Sequence, residues 1–221
     1  MTRNEEIARN IEELRARLGG VKLCAVTKTM PVEDINAAIA AGITEIGENR
    51  VQELMDKIDL IEPGARISLI GQLQTNKVKY IIGRVGLVQS LDRDELAKEI
   101  SKRSLAAGVI TNALIEVNIA GEAQKGGIPA DQAVEFAGRV SEMPGIALKG
   151  LMTVMPIAEE PGLLRPYFRR MRRMFEELRR AGLDMEILSM GMSNDCMVAA
   201  EEGSTMVRIG RGIFGARNYQ H

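Results

Sequence analysis

Short apolar segments alternate with longer amphipathic segments along this chain from residue 21 onward. The short segments are rich in β-branched residues and predict strands, whereas the longer ones repeat apolar residues at helical spacing and predict helices. An amphipathic segment before the first strand predicts a further helix over residues 4–18. The eight predicted strands cover residues 21–27, 44–47, 66–70, 86–91, 112–118, 148–154, 185–190 and 205–209.

Helical patterns fill the stretches between these strands, and several begin or end at Pro or Gly. Strict alternation is typical of parallel strands joined by right-handed crossovers. Eight such units in 221 residues predict a single α/β domain over residues 1–221, a (β/α)8 TIM-type barrel with an extra N-terminal helix. A doubly wound open sheet is the alternative, because alternation does not decide closure. The predicted helices cover residues 32–41, 52–61, 94–107, 131–141 and 163–181.

The composition is that of an ordinary globular protein, with 45% apolar and 27% charged residues. A net charge of −1, 3% aromatic residues and the absence of Trp argue against nucleic acid as a partner. The polar N-terminus lacks the pattern of a signal peptide or membrane span, so we expect a cytoplasmic protein without a membrane partner. Residues 163–181 carry seven arginines beside apolar residues at helical spacing, which favours a barrel-wall helix with a solvated basic face. The alternative is a patch for nucleic acid or another partner.

Cysteine and histidine are too scarce to supply common catalytic or metal sites. Cys24 and Cys196 are far apart, which fits a reducing compartment better than a disulfide framework and gives no metal-ligand spacing. His221 is the single histidine and the last residue. A terminal side chain is usually mobile, so His-dependent triads and His-ligated metals are nearly excluded.

Lys28 follows an apolar run, directly before a helical pattern that opens at Pro31. A lysine delivered by a strand end into a protected pocket can form a Schiff base, because desolvation keeps part of the amine neutral. Lys28 is therefore a candidate covalent anchor for a carbonyl compound. The alternative is a surface lysine that closes a strand.

The loops after the last two predicted strands place Ser193, Gly210 and Arg211 where (β/α)8 barrels commonly bind phosphate. Ser193 is also predicted to cap a following helix and to donate its hydroxyl to a phosphate oxygen. Each loop alone could be a simple turn, but together with Lys28 they predict a phosphorylated aldehyde as ligand. Arg208 could face a pyridine nitrogen and keep it unprotonated, or form a buried salt bridge with a carboxylate such as Glu48, and both can hold.

Several long motifs occur in order along almost the whole chain. They are AVTKTMP around Lys28, EIGENRVQE at 45–53, LIGQLQTNK at 69–77, VNIAGEAQKGGI at 117–128, LKGLMTV at 148–154, LSMGMSNDCMVAAEEGSTMVRIG at 188–210 and IFGAR at 213–217. In these motifs the chain resembles the pyridoxal-phosphate homeostasis protein family, the single-domain relatives of the alanine racemase N-terminal barrel.

The resemblance implies a barrel that binds pyridoxal 5′-phosphate as an internal aldimine. The residues implied to bind it are Lys28, Asn49, Ser193, Arg208, Gly210 and Arg211. Lys28 would carry the aldimine, Ser193 and the backbone amides of residues 210 and 211 would hold the phosphate, Arg208 would face the pyridine nitrogen, and Asn49 would lie beside the ring. The implied function is cofactor buffering and delivery in vitamin B6 homeostasis and amino-acid balance, with apo pyridoxal-phosphate enzymes as recipients.

The sequence departs from the family pattern at several positions. Ser68 stands where His is usual, Arg50 where Tyr is usual, Arg211 where Thr is usual and Ala120 where Ser is usual. The change at Arg211 removes a hydroxyl donor to phosphate but keeps the backbone amide. The racemase relatives also carry a second β-domain that supplies a tyrosine base from the other chain. The 221 residues leave no room for it, so we expect a monomer with weak or absent racemisation and no robust turnover.

Two other functions remain open. A low-activity pyridoxal-phosphate racemase or lyase would use Lys28 as anchor and base, with Tyr80, Tyr167 or Tyr219 as the candidate second acid or base. A Schiff-base aldolase acting on a sugar phosphate would need a carboxylate relay near Lys28, for which Glu48 is the candidate.

Overall fold

The structure is a computed structural model that describes residues 1–215 of the chain. Eight parallel strands form a closed barrel. The first and the last of these eight strands, in their order across the sheet, also pair with each other. The predicted (β/α)8 barrel is therefore confirmed, and the open-sheet alternative is wrong. The barrel strands are β1 (Lys22–Val26), β2 (Glu45–Glu48), β3 (Arg66–Leu69), β4 (Leu87–Leu91), β5 (Thr111–Asn118), β7 (Ile146–Met152), β8 (Ile187–Ser189) and β9 (Met206–Ile209).

A ninth strand, β6 (Ile128–Pro129), was not predicted. It pairs with the carboxyl end of β5, where Val117 and Asn118 face its two residues. Two residues that include Pro give no local strand pattern, so only the pairing defines this element. Around the barrel, the strand order is β4-β3-β2-β1-β9-β8-β7-β5.

Helices follow the strands and bury their apolar faces on the barrel. Their bounds are α1 (Arg3–Leu18), α2 (Val32–Ala40), α3 (Val51–Lys57), α4 (Val78–Ile81), α5 (Asp94–Ala107), α6 (Ala133–Ser141), α7 (Arg165–Arg180), α8 (Cys196–Glu201) and α9 (Arg211–Phe214). Short 3-10 turns cover Ile58–Leu60, Thr75–Lys77 and Pro161–Leu164. Within residues 1–215 no helix is long and apolar enough to cross a membrane.

Several predicted bounds are corrected by the structure. The helix predicted over 52–61 is α-helical only to Lys57 and continues as a 3-10 turn. The helix predicted over 131–141 begins at Ala133, and the strand predicted over 185–190 keeps only Ile187–Ser189. Helix α7 begins at Arg165 because the preceding Pro161–Leu164 segment forms a 3-10 turn.

Helix α1 lies across the seam between the first and last helices of the ring. Thr2 and Glu5 form a capping box at its start. Arg3 donates to the carbonyl of Phe214 at 2.7 Å and to Asp34 Oδ2 at 2.8 Å, and Asn10 donates to the carbonyl of Ile213 at 2.9 Å. The N-terminal helix thereby ties α2 to α9 on the barrel wall.

Helix α7 confirms the barrel-wall interpretation of the arginine-rich segment. Its apolar residues Phe168, Met171, Met174, Phe175 and Leu178 are buried in the main core. The arginines lie on the outer face of the helix. Several of them form ion pairs with Glu176 on α7, Glu201 on α8 and Glu202 directly after α8. Cys24 and Cys196 are both buried and free.

Candidate functional site

A cavity of about 280 Å³ opens at the carboxyl ends of the strands, where (β/α)8 barrels place their active sites. Five of the six residues predicted to bind the ligand line it: Lys28, Ser193, Arg208, Gly210 and Arg211. They come from the loops after β1 and β8 and from the end of β9. Strands β1 and β9 are neighbours, as are β9 and β8, so the barrel brings these distant segments together.

Lys28 is half-buried, two residues beyond the end of β1. The next residue, Thr29, has φ of +64°, a left-handed conformation that is uncommon for a residue other than glycine. Its amide donates to Glu53 Oε1 at 2.5 Å. A carboxylate from α3 therefore stabilises the turn that carries the lysine.

Glu48, at the end of β2, forms an ion pair with Lys57 at 2.5 Å and accepts a hydrogen bond from the hydroxyl of Thr27. The alternative that Arg208 forms a salt bridge with Glu48 is therefore wrong, because Glu48 pairs with Lys57 instead. Burial raises the pKa of Glu48, and the bonds from Lys57 and Thr27 oppose that rise. Its second oxygen, Oε2, is buried without a hydrogen-bond partner in the described residues.

Arg208 lies inside the barrel at 4% exposure and bonds to the neighbouring strand β8 and to the residue that follows β7. Its Nη1 donates to the carbonyl and the hydroxyl of Ser189, at 2.9 and 2.7 Å, and its Nη2 donates to the carbonyl of Thr153 at 2.7 Å. Burial lowers the pKa of Arg208, but a guanidinium remains charged in proteins. The site therefore holds a fixed positive charge that cannot act as a proton donor.

The two loops predicted to bind phosphate meet at one end of the cavity. Gly210 precedes α9, and Arg211 is its first residue. The first amides of a helix have no acceptor within it, so they are available to an anion. Ser193 lies in the facing loop, but it does not cap α8 as predicted. Asp195 holds the cap position, and its carboxylate instead accepts from the amide of Met192 at 2.5 Å.

Asn49 is the one predicted ligand residue that does not line the cavity. It follows β2 and is partly buried, and its backbone lies against Gly71. Its Oδ1 is buried without a hydrogen-bond partner in residues 1–215. A buried amide oxygen in that state is a polar group that a bound molecule or water would satisfy.

Sequence reasoning missed the apolar wall of the cavity. Met155, Pro156, Ile157 and Ala158 come from the loop after β7, and Pro161 and Leu164 come from the turn before α7. The only sequence signal was their position after a predicted strand. Ile157 is fully exposed at the rim, whereas Met155 is buried. The lining of the cavity therefore has an apolar part as well as the polar one.

Sequence reasoning also missed two carboxylates at the barrel mouth, Glu116 and Asp195. Glu116, on β5, has its pKa raised to about 7 by burial and by nearby Asp92, and Arg208 opposes this rise. A methyl group placed on Gly126 would lie 3.8 Å from an oxygen of Asp92 and 3.8 Å from an oxygen of Glu116. These two carboxylates therefore both lie near the backbone of Gly126. Asp195 lines the cavity beside Ser193, and burial raises its pKa too.

The tyrosines considered as a second acid or base do not reach the cavity in the described structure. Tyr80 is 44% exposed on α4, and its ring stacks with Lys77 and Lys79. Tyr167 is partly buried against the main core. Tyr219 and His221 lie outside the described residues.

Comparison with known proteins identifies the class of this barrel. The family model of the alanine racemase N-terminal domain matches residues 3–218. An alanine racemase from Streptomyces coelicolor superposes with a TM-score of 0.82 at 22% identity, over 97% of this chain and 59% of that chain. At that identity the likeness shows the fold alone, which is a barrel of the alanine racemase N-terminal class.

Two further relatives match over most of their length. A pyridoxal phosphate homeostasis protein of Aquifex aeolicus is 44% identical over 200 residues, which cover 90% of this chain and 88% of the relative. The structure of PipY from Synechococcus elongatus with pyridoxal phosphate bound has a TM-score of 0.84 and 29% identity, over 95% of this chain and 100% of that chain. The chain belongs to the pyridoxal phosphate homeostasis protein family, as its sequence motifs predicted.

Proposed function

We propose that this protein binds pyridoxal 5′-phosphate in the cavity, holds it covalently on Lys28, and stores and delivers it in vitamin B6 homeostasis. The observation that carries the proposal is the meeting of Lys28, Arg208, Ser193, Gly210 and Arg211 around one cavity. Membership of a family named for pyridoxal phosphate homeostasis and the structure of PipY with the cofactor bound also support it.

The residues present fit this cofactor in number and in chemical type. When bound, pyridoxal phosphate supplies an aldehyde that condenses with a primary amine, a pyridine ring and a phosphate. Lys28 offers the amine, Arg208 a guanidinium for the ring nitrogen, and Ser193 with the amides at the start of α9 the donors for phosphate. The volume of about 280 Å³ lies near the lower limit of typical small-ligand pockets, about 300 Å³. Asn49, whose Oδ1 has no hydrogen-bond partner within residues 1–215, would face the ring from the β2 side.

The chain's own residues explain why substrate turnover would be weak. Arg208 would face the ring nitrogen without giving it a proton. The bound cofactor would then be a weak electron sink. The residues from Met155 to Ala158 give the cavity that Lys28 lines an apolar part beside its polar groups. No tyrosine or histidine in residues 1–215 lines the cavity as a second base. These features favour storage and release over substrate turnover.

The proposal includes a cytoplasmic monomer that delivers the cofactor to apo pyridoxal-phosphate enzymes and thereby influences amino-acid balance. The alternative is a low-activity racemase or lyase. That alternative needs a proton carrier opposite Lys28, and Glu116 is the titratable group of the barrel mouth whose pKa lies near 7. Incubation of the loaded protein with single amino acids separates the two, since only the alternative predicts their racemisation or breakdown.

The test is covalent trapping of the cofactor on a mapped lysine. Pyridoxal phosphate is added to the purified protein, the mixture is reduced with borohydride, and the labelled peptide is identified by mass spectrometry. We expect one label per chain on Lys28 and none in Lys28→Ala. Lys22→Ala is the matched control, because Lys22 lies at the opposite, exposed end of the same strand. Full labelling of a folded Lys28→Ala, or no binding by the unmodified protein, would overturn the proposal.

A further inference from the structure

A continuous chain of hydrogen-bonded side chains crosses the barrel from Arg208 to Glu45. Arg208 Nη1 donates to Ser189 Oγ at 2.7 Å, and Ser189 Oγ donates to Gln89 Oε1 at 2.8 Å. Gln89 Nε2 donates to Ser68 Oγ at 3.2 Å, and Ser68 donates to Glu45 Oε1. Every link runs in the same direction, from the guanidinium toward the carboxylate.

The chain passes through the barrel interior rather than along its wall. Gln89 lies on β4 and Ser189 on β8, and these strands are not neighbours in the barrel order. A contact between them must therefore cross the inside of the barrel. Ser68, Gln89 and Ser189 have no exposed surface, and Glu45 has 1%.

The far end of the chain is closed by a charge pair. Arg66 Nε donates to Glu45 Oε2 at 2.7 Å, and about a third of the Arg66 side chain is exposed. Glu45 is therefore an anchored acceptor: one oxygen accepts a hydrogen bond from Ser68, and the other pairs with Arg66. An ionised acceptor at the end of a hydrogen-bonded chain orients the groups before it and strengthens each bond.

Polar groups in this position cost more than apolar ones unless each is satisfied. The neighbouring interior positions are apolar, since Cys24, Leu87, Leu114 and Met152 form a buried cluster there. Apolar side chains at Ser68 and Gln89 would extend that cluster. Their polarity is explained by what they connect, which is the guanidinium at the cavity.

We infer that Glu45, Ser68 and Gln89 are positioning residues that set the place and orientation of the Arg208 guanidinium for the ring nitrogen of the cofactor. This inference rests on the proposed function. Glu45 makes Ser68 donate to it, so the Ser68 lone pairs accept from Gln89, and the Gln89 oxygen accepts from Ser189. The Ser189 hydroxyl then has a lone pair directed at Arg208 Nη1, which fixes one edge of the guanidinium.

The position of Ser68 also gives its departure from the family pattern a physical meaning. The Ser68 hydroxyl accepts a hydrogen bond from Gln89 and donates one to Glu45. This single oxygen therefore connects Glu45 to the part of the chain that leads to Arg208. An apolar residue there would leave Glu45 Oε1 without its hydroxyl donor and Gln89 Nε2 with only the weak acceptor sulfur of Met206.

The test uses Ser68→Ala and Gln89→Met, which shorten or break the chain without touching the cavity. We expect pyridoxal phosphate to bind about threefold to tenfold more weakly. We also expect its absorption spectrum, and the pH at which that spectrum changes, to shift. Ser104→Ala is the matched control, because Ser104 is equally buried and shares a hydrogen bond with Thr111 elsewhere in the fold.

A second readout needs no cofactor. The nitrogen-15 signals of the Arg208 guanidinium, assigned with Arg208→Lys, should move in Ser68→Ala and Gln89→Met but not in Ser104→Ala. Folded variants with an unchanged spectrum, pH profile and guanidinium signal would overturn the inference while leaving the proposed function intact. If the unmodified protein binds no pyridoxal phosphate, the proposed function fails, and the role toward the ring nitrogen fails with it.

Discussion

Lys57 Nζ lies 3.0 Å from the backbone carbonyl of Thr27, the residue directly before Lys28. The same ammonium pairs with Glu48 at 2.5 Å and with Glu53 at 3.0 Å. Glu53 in turn accepts from the amide of Thr29, so one lysine and its partners hold the backbone on both sides of Lys28. The position of the proposed anchor therefore depends on a buried charge network in α3 and β2.

Lys57→Met should lower the free energy of unfolding by about 3–5 kcal/mol, because it leaves the buried carboxylate of Glu48 without its counter-ion. The loss should be largest at neutral pH. It should shrink in acid, where the raised pKa of Glu48 allows the carboxyl to take up a proton. Urea denaturation at two pH values measures both effects.

A double variant makes this test specific. Lys57→Met with Glu48→Gln removes both charges and should recover more than half of the lost stability, since no uncompensated charge remains. If the double variant is as unstable as the sum of the two single variants, the pair does not act as a unit.

Gly150→Ala should be the most damaging glycine substitution in the barrel wall. Gly150 has φ of +154°, and a Cβ there would lie 1.8 Å from the carbonyl oxygen of Ile187. That atom belongs to β8, which pairs with β7 at this residue, so the clash can be relieved only by moving a barrel strand. We expect a loss of more than about 3 kcal/mol or failure to fold.

Gly138→Ala is the control for that substitution. Gly138 lies within α6, and a Cβ there meets no atom within 4 Å. Alanine is preferred over glycine in a helix by about 1 kcal/mol, so this variant should be slightly more stable than the unmodified protein. Thermal unfolding of the two variants, measured side by side, checks this. An unfolding temperature of Gly150→Ala as high as that of Gly138→Ala would contradict the argument.

The strands and the strand-end residues were predictable because their signals are local. Most barrel strands contain a short run of apolar residues, although β2 (Glu45–Glu48) does not, and Lys28, Arg208 and Gly210 lie in or just after such runs. The mouth of a parallel barrel collects the ends of its strands, so closure alone brings these residues together. Their meeting at one cavity follows from the fold class.

The network around Lys28 was not predictable because its members are defined by distant partners. From the sequence, Lys57 is predicted to be an ordinary solvent-exposed charge on an amphipathic helix. In the structure it is only 7% exposed. Gln89 and Ser189 are 100 residues apart and meet only because the barrel closes. The salt bridge expected between Arg208 and Glu48 failed for the same reason, since each residue has a different buried partner.

Arg211 supplies a direct test of how the phosphate would be held. Its side chain is exposed, whereas its backbone amide opens α9 at the cavity. Arg211→Ala should weaken pyridoxal phosphate binding by about threefold at low salt and less at high salt, because the amide remains and only a screened charge is lost. Arg211→Thr should bind at least as tightly as Arg211→Ala, since it adds a hydroxyl donor. Titration at two salt concentrations measures this, and a loss of all binding in Arg211→Ala would contradict it.

Glu116 should make the stability of the protein depend on pH between about 4 and 7. Its pKa in the folded protein is about 7, above the ordinary value of about 4.3 for glutamate. A carboxyl with a raised pKa contributes fully below its ordinary pKa, and this contribution is lost as the pH rises through about 7. Asp92 and Arg208 are the charged groups that act on it, in opposite directions.

Glu116→Gln removes this dependence and should be more stable than the unmodified protein by about 3–4 kcal/mol at pH 8, with little difference at pH 4. Denaturant unfolding across this range gives the difference directly, because the other titrating groups are present in both proteins. Glu13→Gln is the control, since it makes the same substitution at a largely exposed position on α1. A Glu116→Gln profile parallel to that of the unmodified protein would mean that the carboxyl titrates in the folded state as it does in the unfolded chain.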